Sequence, residues 1–300
     1  MIALPPHDPP VLQSLRFPGM PEIVVDVLRL DLIHPVISGN KWFKLQGHWP
    51  RIPQASGTVI TFGGAWSNHL IATACAAHHS GIRSVGIVRG EAPRELSPTL
   101  RAARDYGMRL EFIRRSDYAA RNDPALLAEL SARYPGAYII PEGGGGPPGI
   151  QGCAGILRTI DCTRYTHICC AVGTGAMFLG LALSARPEQY VIGIPVLKGV
   201  DPLAVPDACL LSPAQRTRSQ TLSGYHFGGY ARHPAVLLEF MNGLYRDTGI
   251  PTDIVYTGKL FFAIRDAVAH NIFPPFANLL LIHSGGLQGN RSLAPGTLQF

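Results

Sequence analysis

Lysine is scarce in this chain: of the 26 lysines and arginines among 300 residues, only Lys41, Lys44, Lys198 and Lys259 are lysine. Charge of either sign is sparse too, at 15% Asp, Glu, Lys and Arg. With 46% hydrophobic residues the chain has enough apolar surface for a packed core, which excludes long disorder. No apolar run approaches the ~20 residues that cross a bilayer, and MIALPPHDPPVLQSL lacks a basic stretch followed by an apolar one, so the chain is expected in the cytoplasm. The six cysteines (Cys75, Cys153, Cys162, Cys169, Cys170, Cys209) show no C-x-x-C spacing and read as free core thiols. No cysteine or carboxylate stands at ligand spacing from His78-His79, so no metal site is expected. No basic run exceeds Arg114-Arg115, so the net charge of +6 suits a small anion better than a nucleic acid. G-K-[ST] is missing, and the Gly173-Thr174-Gly175 turn is followed by Phe178 where a dinucleotide fingerprint needs glycine or alanine.

What is present is a repeated pattern: a short apolar segment, a glycine-rich turn, then a helix-like stretch. It recurs at TVITFGG (58–64) before 65–81, where Ser67 or Asn68 is placed to cap a helix and Gly81 to close it. It continues through SVGIVRG (84–90), 97–107, 109–115, 124–136 and AYIIPEGGGG (137–146). A second series comprises THICCAVGTG (166–175) with 176–185, YVIGIPVL (190–197), a Pro- and Gly-rich polar region to about 233, the helix 235–249, and NLLLIHSGG (278–286). Such βα units build parallel sheets, so the fold class is α/β. The length favours two lobes with a cleft: residues 1–50 and 150–300 forming a large lobe, with 51–149 as an inserted small one.

The glycine turns are where ligands bind in such folds. Backbone amides at Gly173, Thr174 and Gly175, opening a helix, suit a phosphate; a tight turn without ligand is the plainer reading. FGGAWSNH sets Ser67, Asn68 and His69 at a second turn, suited to a carboxylate or to simple capping. HSGG places Ser284 at the end of a third strand. Lysine differs from arginine in that burial can deprotonate it to a nucleophile. In SGNKWFKL, Lys41 and Lys44 lie three apart, on one face if 41–48 is helical.

Taken together, GNKxxKL, GGxxSNH, the Gly-Thr-Gly loop, VYTGK and HSGG, in this order over roughly residues 25–290, make the sequence resemble the 1-aminocyclopropane-1-carboxylate deaminase and D-cysteine desulfhydrase family. These are pyridoxal-phosphate enzymes with the tryptophan-synthase-β fold, two open three-layer α/β/α lobes with mostly parallel sheets. The resemblance implies pyridoxal 5'-phosphate on Lys41 as a Schiff base, Lys44 and Gly173, Thr174 and Gly175 on its phosphate, and Asn68 on its phenolic oxygen. It further implies Ser67 and His69 on the substrate carboxylate, and Tyr256 and Tyr230 as active-site phenols, although YHFGGY departs from the family's YxGPGY. It also implies a homodimer acting on a small amino acid; no nucleic-acid or membrane partner is expected from the charge pattern and the short apolar runs.

Within that family, cyclopropane deaminases carry glutamate after the tyrosine and a bulky apolar residue in the H-x-G-G turn. Here Thr257 and Ser284 stand there, hydroxyls expected beside the cofactor's ring nitrogen. Such a ring is a weaker electron sink, which points to α-proton removal and rapid β-elimination, as from D-cysteine to pyruvate, ammonia and sulfide. Ring-opening deamination and a non-catalytic cofactor-binding protein are the alternatives. Trp42 and Trp66, beside the lysine and the serine, are expected to narrow the pocket.

Overall fold

The structure, a computed structural model, describes residues 3–17, 23–53 and 57–300. Its larger sheet holds β1 (Val11–Leu15), β2 (Val24–Arg29), β7 (His167–Val172), β8 (Tyr190–Pro195), β9 (Ser219–Thr221) and β10 (Asn278–His283), in the spatial order β1-β2-β10-β7-β8-β9. Its smaller sheet holds β3 (Thr58–Gly63), β4 (Arg83–Arg89), β5 (Arg109–Ile113) and β6 (Tyr138–Ile140), in the order β5-β4-β3-β6. Every pairing is parallel except that of β1 with β2.

The inner strands β3, β7, β8 and β10 are buried nearly throughout, which is why they read as continuous runs of mostly apolar residues rather than alternating ones. On one face of the larger sheet Cys170, Leu280 and Ile282 pack with α1 (Asn40–His48), α6 (Gly146–Cys153) and α7 (Ala176–Ser184). On the other, Cys169, Leu279 and Leu281 pack with α9 (Ala235–Thr248) and α10 (Thr257–Ala269). The period of two along a strand sends the vicinal cysteines to opposite faces, which explains why they are not paired. Around the smaller sheet, α2 (Asn68–His79) and α3 (Pro98–Asp105) share one apolar cluster, while α4 (Arg115–Ala119) and α5 (Pro124–Arg133) share the other. Five cysteines are buried as expected; Cys209 is exposed instead. No helix among the described residues is long and apolar enough to cross a membrane, and no cluster of His, Cys, Asp or Glu there is arranged to hold a metal ion.

The polar region before residue 233 contains α8 (Pro213–Thr217), opened by a Ser212–Gln215 capping box, and the edge strand β9. The glycine cluster resolves into structure as well. It leads into α6, inside which the expected lobe boundary at 149/150 falls. Gly47 of α1 and Gly152 of α6 allow backbone contact between the two helices. A Cβ at Gly47 would lie 1.9 Å from the carbonyl oxygen of Pro148, and one at Gly152 would lie 2.0 Å from that of Phe43.

Candidate active site

Parallel strands carry their ligand sites at their carboxyl ends, and the ends of β3, β7 and β10 converge on one cavity of about 390 Å³. The start of α1 closes its floor. Gly39 permits this: its φ is +66°, and a Cβ there would stand 1.8 Å from the Ser284 carbonyl oxygen. Asn40 N–H donates to that same carbonyl at 3.1 Å. The GNK and HSGG segments are thereby locked together, and Lys41 and Ser284 both line the cavity.

Lys41 Nζ donates to Asn40 Oδ1 at 2.8 Å. Burial first, and the Lys44 ammonium second, lower its amine to about 7. Near neutral pH much of it is therefore an unprotonated nucleophile. Lys44, one helical turn on, is more deeply buried, and burial lowers its amine as well. Its Nζ reaches the Gly143 carbonyl at 2.9 Å and Thr174 Oγ1 at 3.5 Å, so it faces the β7 turn from across the cavity. Cys153 lies near both lysines, but burial pushes its thiol up to about 11, so it remains a neutral neighbour rather than a rival nucleophile.

The β7 turn supplies an anion cradle. Gly175, at φ +85°, is the N-cap of α7, a conformation that only glycine adopts without strain. The first N–H groups of α7 therefore open toward the cavity lined by Gly173, Thr174 and Gly175. A Cβ at Gly173 would stand 2.9 Å from Tyr256 Cε1, so the Tyr256 ring lies against this turn.

At the β3 end, Ser67 caps α2 by accepting from Leu70 N–H at 3.3 Å, which leaves its own hydroxyl proton free to donate. Asn68 Nδ2 donates to Gly286 O at 3.1 Å, while its Oδ1 is buried without a partner. His69 departs from expectation. Thr61 Oγ1 gives its proton to the Ile140 carbonyl at 3.0 Å, so His69 Nε2–H donates to Thr61 Oγ1 at 2.8 Å. Burial, with Lys41 and Lys44 nearby, holds this imidazole neutral. Its Nδ1 lone pair, buried and unpartnered, suits a donor such as an ammonium or thiol; it cannot donate to the carboxylate assigned to it from sequence.

Both tyrosines line the cavity. Burial, followed by the neighbouring Tyr230, raises the Tyr256 phenol, and burial raises that of Tyr230, so both stay protonated and able to donate. Thr257, expected on the cofactor, does not line the cavity. Its side chain is fully buried, and Oγ1 donates to Asp253 Oδ1 at 2.7 Å while accepting from Asp253 N–H at 2.7 Å. Asp253 also accepts from the N–H groups of Val255, Tyr256 and Thr257, which makes it the acid that shapes the Tyr256 turn.

Several cavity residues were not foreseen: Arg89, Arg121, Glu142 and Gly143. Among the described lining residues Glu142 is the only carboxylate, and it is engaged by Tyr118 OH at 2.6 Å and Arg121 Nε at 2.7 Å. Trp66 lines the cavity as expected, but Trp42 turns into the core against Phe43 and His7 and narrows nothing.

A phosphate suits the space between Lys44 and the first N–H groups of α7, an aldehyde suits the Lys41 amine, and the second Nδ2 proton of Asn68 is left for an acceptor such as a phenolic oxygen. The donor set is therefore that of pyridoxal phosphate. Comparison with known proteins agrees. Residues 27–285 match the model of a family described as pyridoxal-phosphate dependent enzyme. A Pyrococcus abyssi protein that carries 1-aminocyclopropane-1-carboxylate deaminase as a provisional name is 28% identical, over 96% of this chain and 92% of that one. The bifunctional D-cysteine desulfhydrase/1-aminocyclopropane-1-carboxylate deaminase of Arabidopsis thaliana is 26% identical, over 94% of this chain and 77% of its own. A solved ACC deaminase homologue superposes with a TM-score of 0.80 at 25% identity, covering 95% of this chain and 93% of that one.

Proposed function

The chain belongs to the pyridoxal-phosphate dependent enzyme family, and from that premise we propose that it is a lyase removing the β-substituent of a small amino acid, with D-cysteine as the first candidate. The products would be pyruvate, ammonia and sulfide, with one water consumed. The observation that carries this reading is an amine lowered to about 7, Lys41, in a cavity that also presents the protonated phenols of Tyr256 and Tyr230.

Lys41 would hold the cofactor aldehyde, Lys44 and residues 173–175 its phosphate, Asn68 its phenolic oxygen and Ser284 its ring nitrogen. When bound, the cofactor supplies the electron sink that makes the substrate α-proton removable. The rest falls to the chain's own groups. Ser67 directs its free hydroxyl proton to the substrate carboxylate. The Lys41 amine, which would be freed when the substrate's own amine takes its place on the aldehyde, would then take the α-proton, which a protonated lysine could not do. A phenol of Tyr256 or Tyr230 donates toward the departing sulfur, and the His69 Nδ1 lone pair accepts from the substrate's amine or thiol. A homodimer of this chain is part of the same proposal, checked by sedimentation.

Ring-opening deamination is the second reading. It is favoured by the names of the relatives and by the burial of Thr257 away from the cavity, which removes one sequence argument against it; Ser284 remains as the argument for elimination. Purified holoenzyme given D-cysteine, L-cysteine or 1-aminocyclopropane-1-carboxylate separates the readings by product. Sulfide with pyruvate from a cysteine supports the proposal, and 2-oxobutanoate from the cyclopropane supports the second. No product above a Lys41→Ala control with any of them would leave a cofactor-binding protein without this turnover.

A further inference from the structure

The fourth lysine has no role in the chemistry above, yet it is the most completely buried of the four. Lys259 occupies the first turn of α10 and is 0% exposed. No carboxylate pairs with it among the described residues. Asp253, the acid that bears on it electrostatically, is already engaged by N–H groups and by Thr257. Its position is unfavourable twice over, since burial disfavours the ammonium and a helix N-terminus repels a cation.

What compensates is a cage of backbone carbonyls. Nζ donates to Gly229 O at 2.8 Å, to His226 O at 2.9 Å and to Val196 O at 3.4 Å, one acceptor for each proton of the ammonium. Val196 directly follows β8. The other two belong to a loop outside any strand or helix, whose backbone takes positive φ at Phe227 (52°), Gly228 (94°), Gly229 (126°) and Ala231 (54°). At Phe227 and Ala231, which are not glycine, such a conformation is costly and persists only where its surroundings hold it. Upstream the loop is tethered by Tyr225 OH to Asp266 and by the Phe227–Phe262 ring contact. At its downstream end sits Tyr230, immediately after Gly229, half exposed and lining the cavity. Tyr256 stands three residues before Lys259.

We infer that Lys259 is a positioning residue: by gathering the carbonyls of residues 196, 226 and 229 it fixes the Tyr230 loop over the cavity and sets the relation between the two phenols. This rests on the reading that Tyr230 and Tyr256 act on the substrate. The clamp belongs to the folded chain itself and touches neither cofactor nor substrate, so it is testable apart from turnover.

The test uses the holoenzyme with Lys259→Met and Lys259→Gln, the latter able to donate without charge. Expected are an unchanged cofactor absorbance, cofactor affinity within about twofold of wild type, and backbone amide exchange across residues 224–233 faster by about tenfold or more. Activity should fall through kcat, by about tenfold, with little change in KM. Because the effect runs through Tyr230, Lys259→Met in a Tyr230→Phe background should cost under about twofold more, a strongly non-additive cycle. Unchanged exchange in the loop, or additive losses in the cycle, would overturn the inference. So would global unfolding of both variants, which would assign the ammonium to the core. The exchange and cofactor measurements need no substrate, so a wrong substrate assignment leaves them readable.

Discussion

Lys44 donates from Nζ to the carbonyl oxygen of Gly143 at 2.9 Å, a bond between side chain and backbone 99 residues apart. It aims the ammonium at the Gly173–Gly175 turn and gives the glycine cluster a function: a Cβ at Gly144 would come within 3.2 Å of both Lys44 Cβ and His69 Cε1. If this ammonium is the phosphate counter-charge, Lys44→Gln should, at a pH above the Lys41 inflection of both proteins, weaken pyridoxal phosphate binding by about tenfold or more while leaving binding of unphosphorylated pyridoxal nearly unchanged. Equal losses for the two ligands, measured by absorbance titration, would contradict the assignment.

The same pair sets a pH dependence. Lys41 is lowered to about 7 by burial and then by Lys44, so attachment of the aldehyde should accelerate as pH rises through about 7 and level off above. In Lys44→Gln the inflection should move upward, though not to the value of a free lysine, because burial is the larger cause. Stopped-flow absorbance across pH 5–10 reads both inflections.

Stability without cofactor follows from the sign of that shift. Between about 7 and 10.5 the unfolded chain binds the Lys41 proton and the folded chain does not, so this group's penalty is full below pH 7 and fades as pH rises. Lys41→Met should therefore stabilise the apoprotein at pH 6.5, by about 1–3 kcal/mol once the amine's contact with the cavity is allowed for. The gain should vanish near pH 10. Urea unfolding at the two pH values checks it.

Asp253 and Thr257 should separate stability from cofactor binding. Thr257→Val removes the hydroxyl that bonds Asp253 and should lower stability by about 1–2 kcal/mol with cofactor affinity unchanged. Asp253→Ala strips the acceptor from three N–H groups and should cost more, about 2–4 kcal/mol, and lower kcat through the Tyr256 turn. A loss of cofactor affinity in Thr257→Val would return that residue to the cavity.

Gly152→Ala tests the contact of α1 with α6. Its Cβ would lie 2.0 Å from Phe43 O, a backbone atom that can yield only if the helices part, so a loss of about 3 kcal/mol or more is expected in chemical denaturation.

Much of this arrangement was legible in the chain because it is local. Strand, glycine turn and helix start are neighbours in sequence, which is enough to place Ser67, Asn68, Gly173–Gly175 and Ser284 at strand ends. The condition that sets Lys41 and Lys44 on one face, a helix over 41–48, is met by α1. The rest depends on distant partners. Gly146-Pro147-Pro148-Gly149 reads as loop by composition, yet the prolines sit in the first turn of α6, where no N–H is missed, and Gly149 has no room for a Cβ, which would lie 2.0 Å from the Gly144 carbonyl oxygen. Thr257 was expected on the cofactor because it stands where the resembling deaminases carry glutamate, but Asp253, four residues earlier, draws its hydroxyl inward. The donor direction of His69 was set by Thr61 and Ile140, and the group of Glu142, Arg121 and Tyr118 forms only when β6 and α4 are assembled. Neither leaves a trace in spacing.

The central claim is that the Lys41 amine carries the cofactor in the resting protein. Borohydride reduction of the yellow holoenzyme, followed by proteolysis and mass spectrometry, should find the pyridoxyl phosphate group on the peptide containing Lys41 and on no other lysine. The group on Lys44, Lys198 or Lys259, or no covalent label with cofactor in excess, would contradict it.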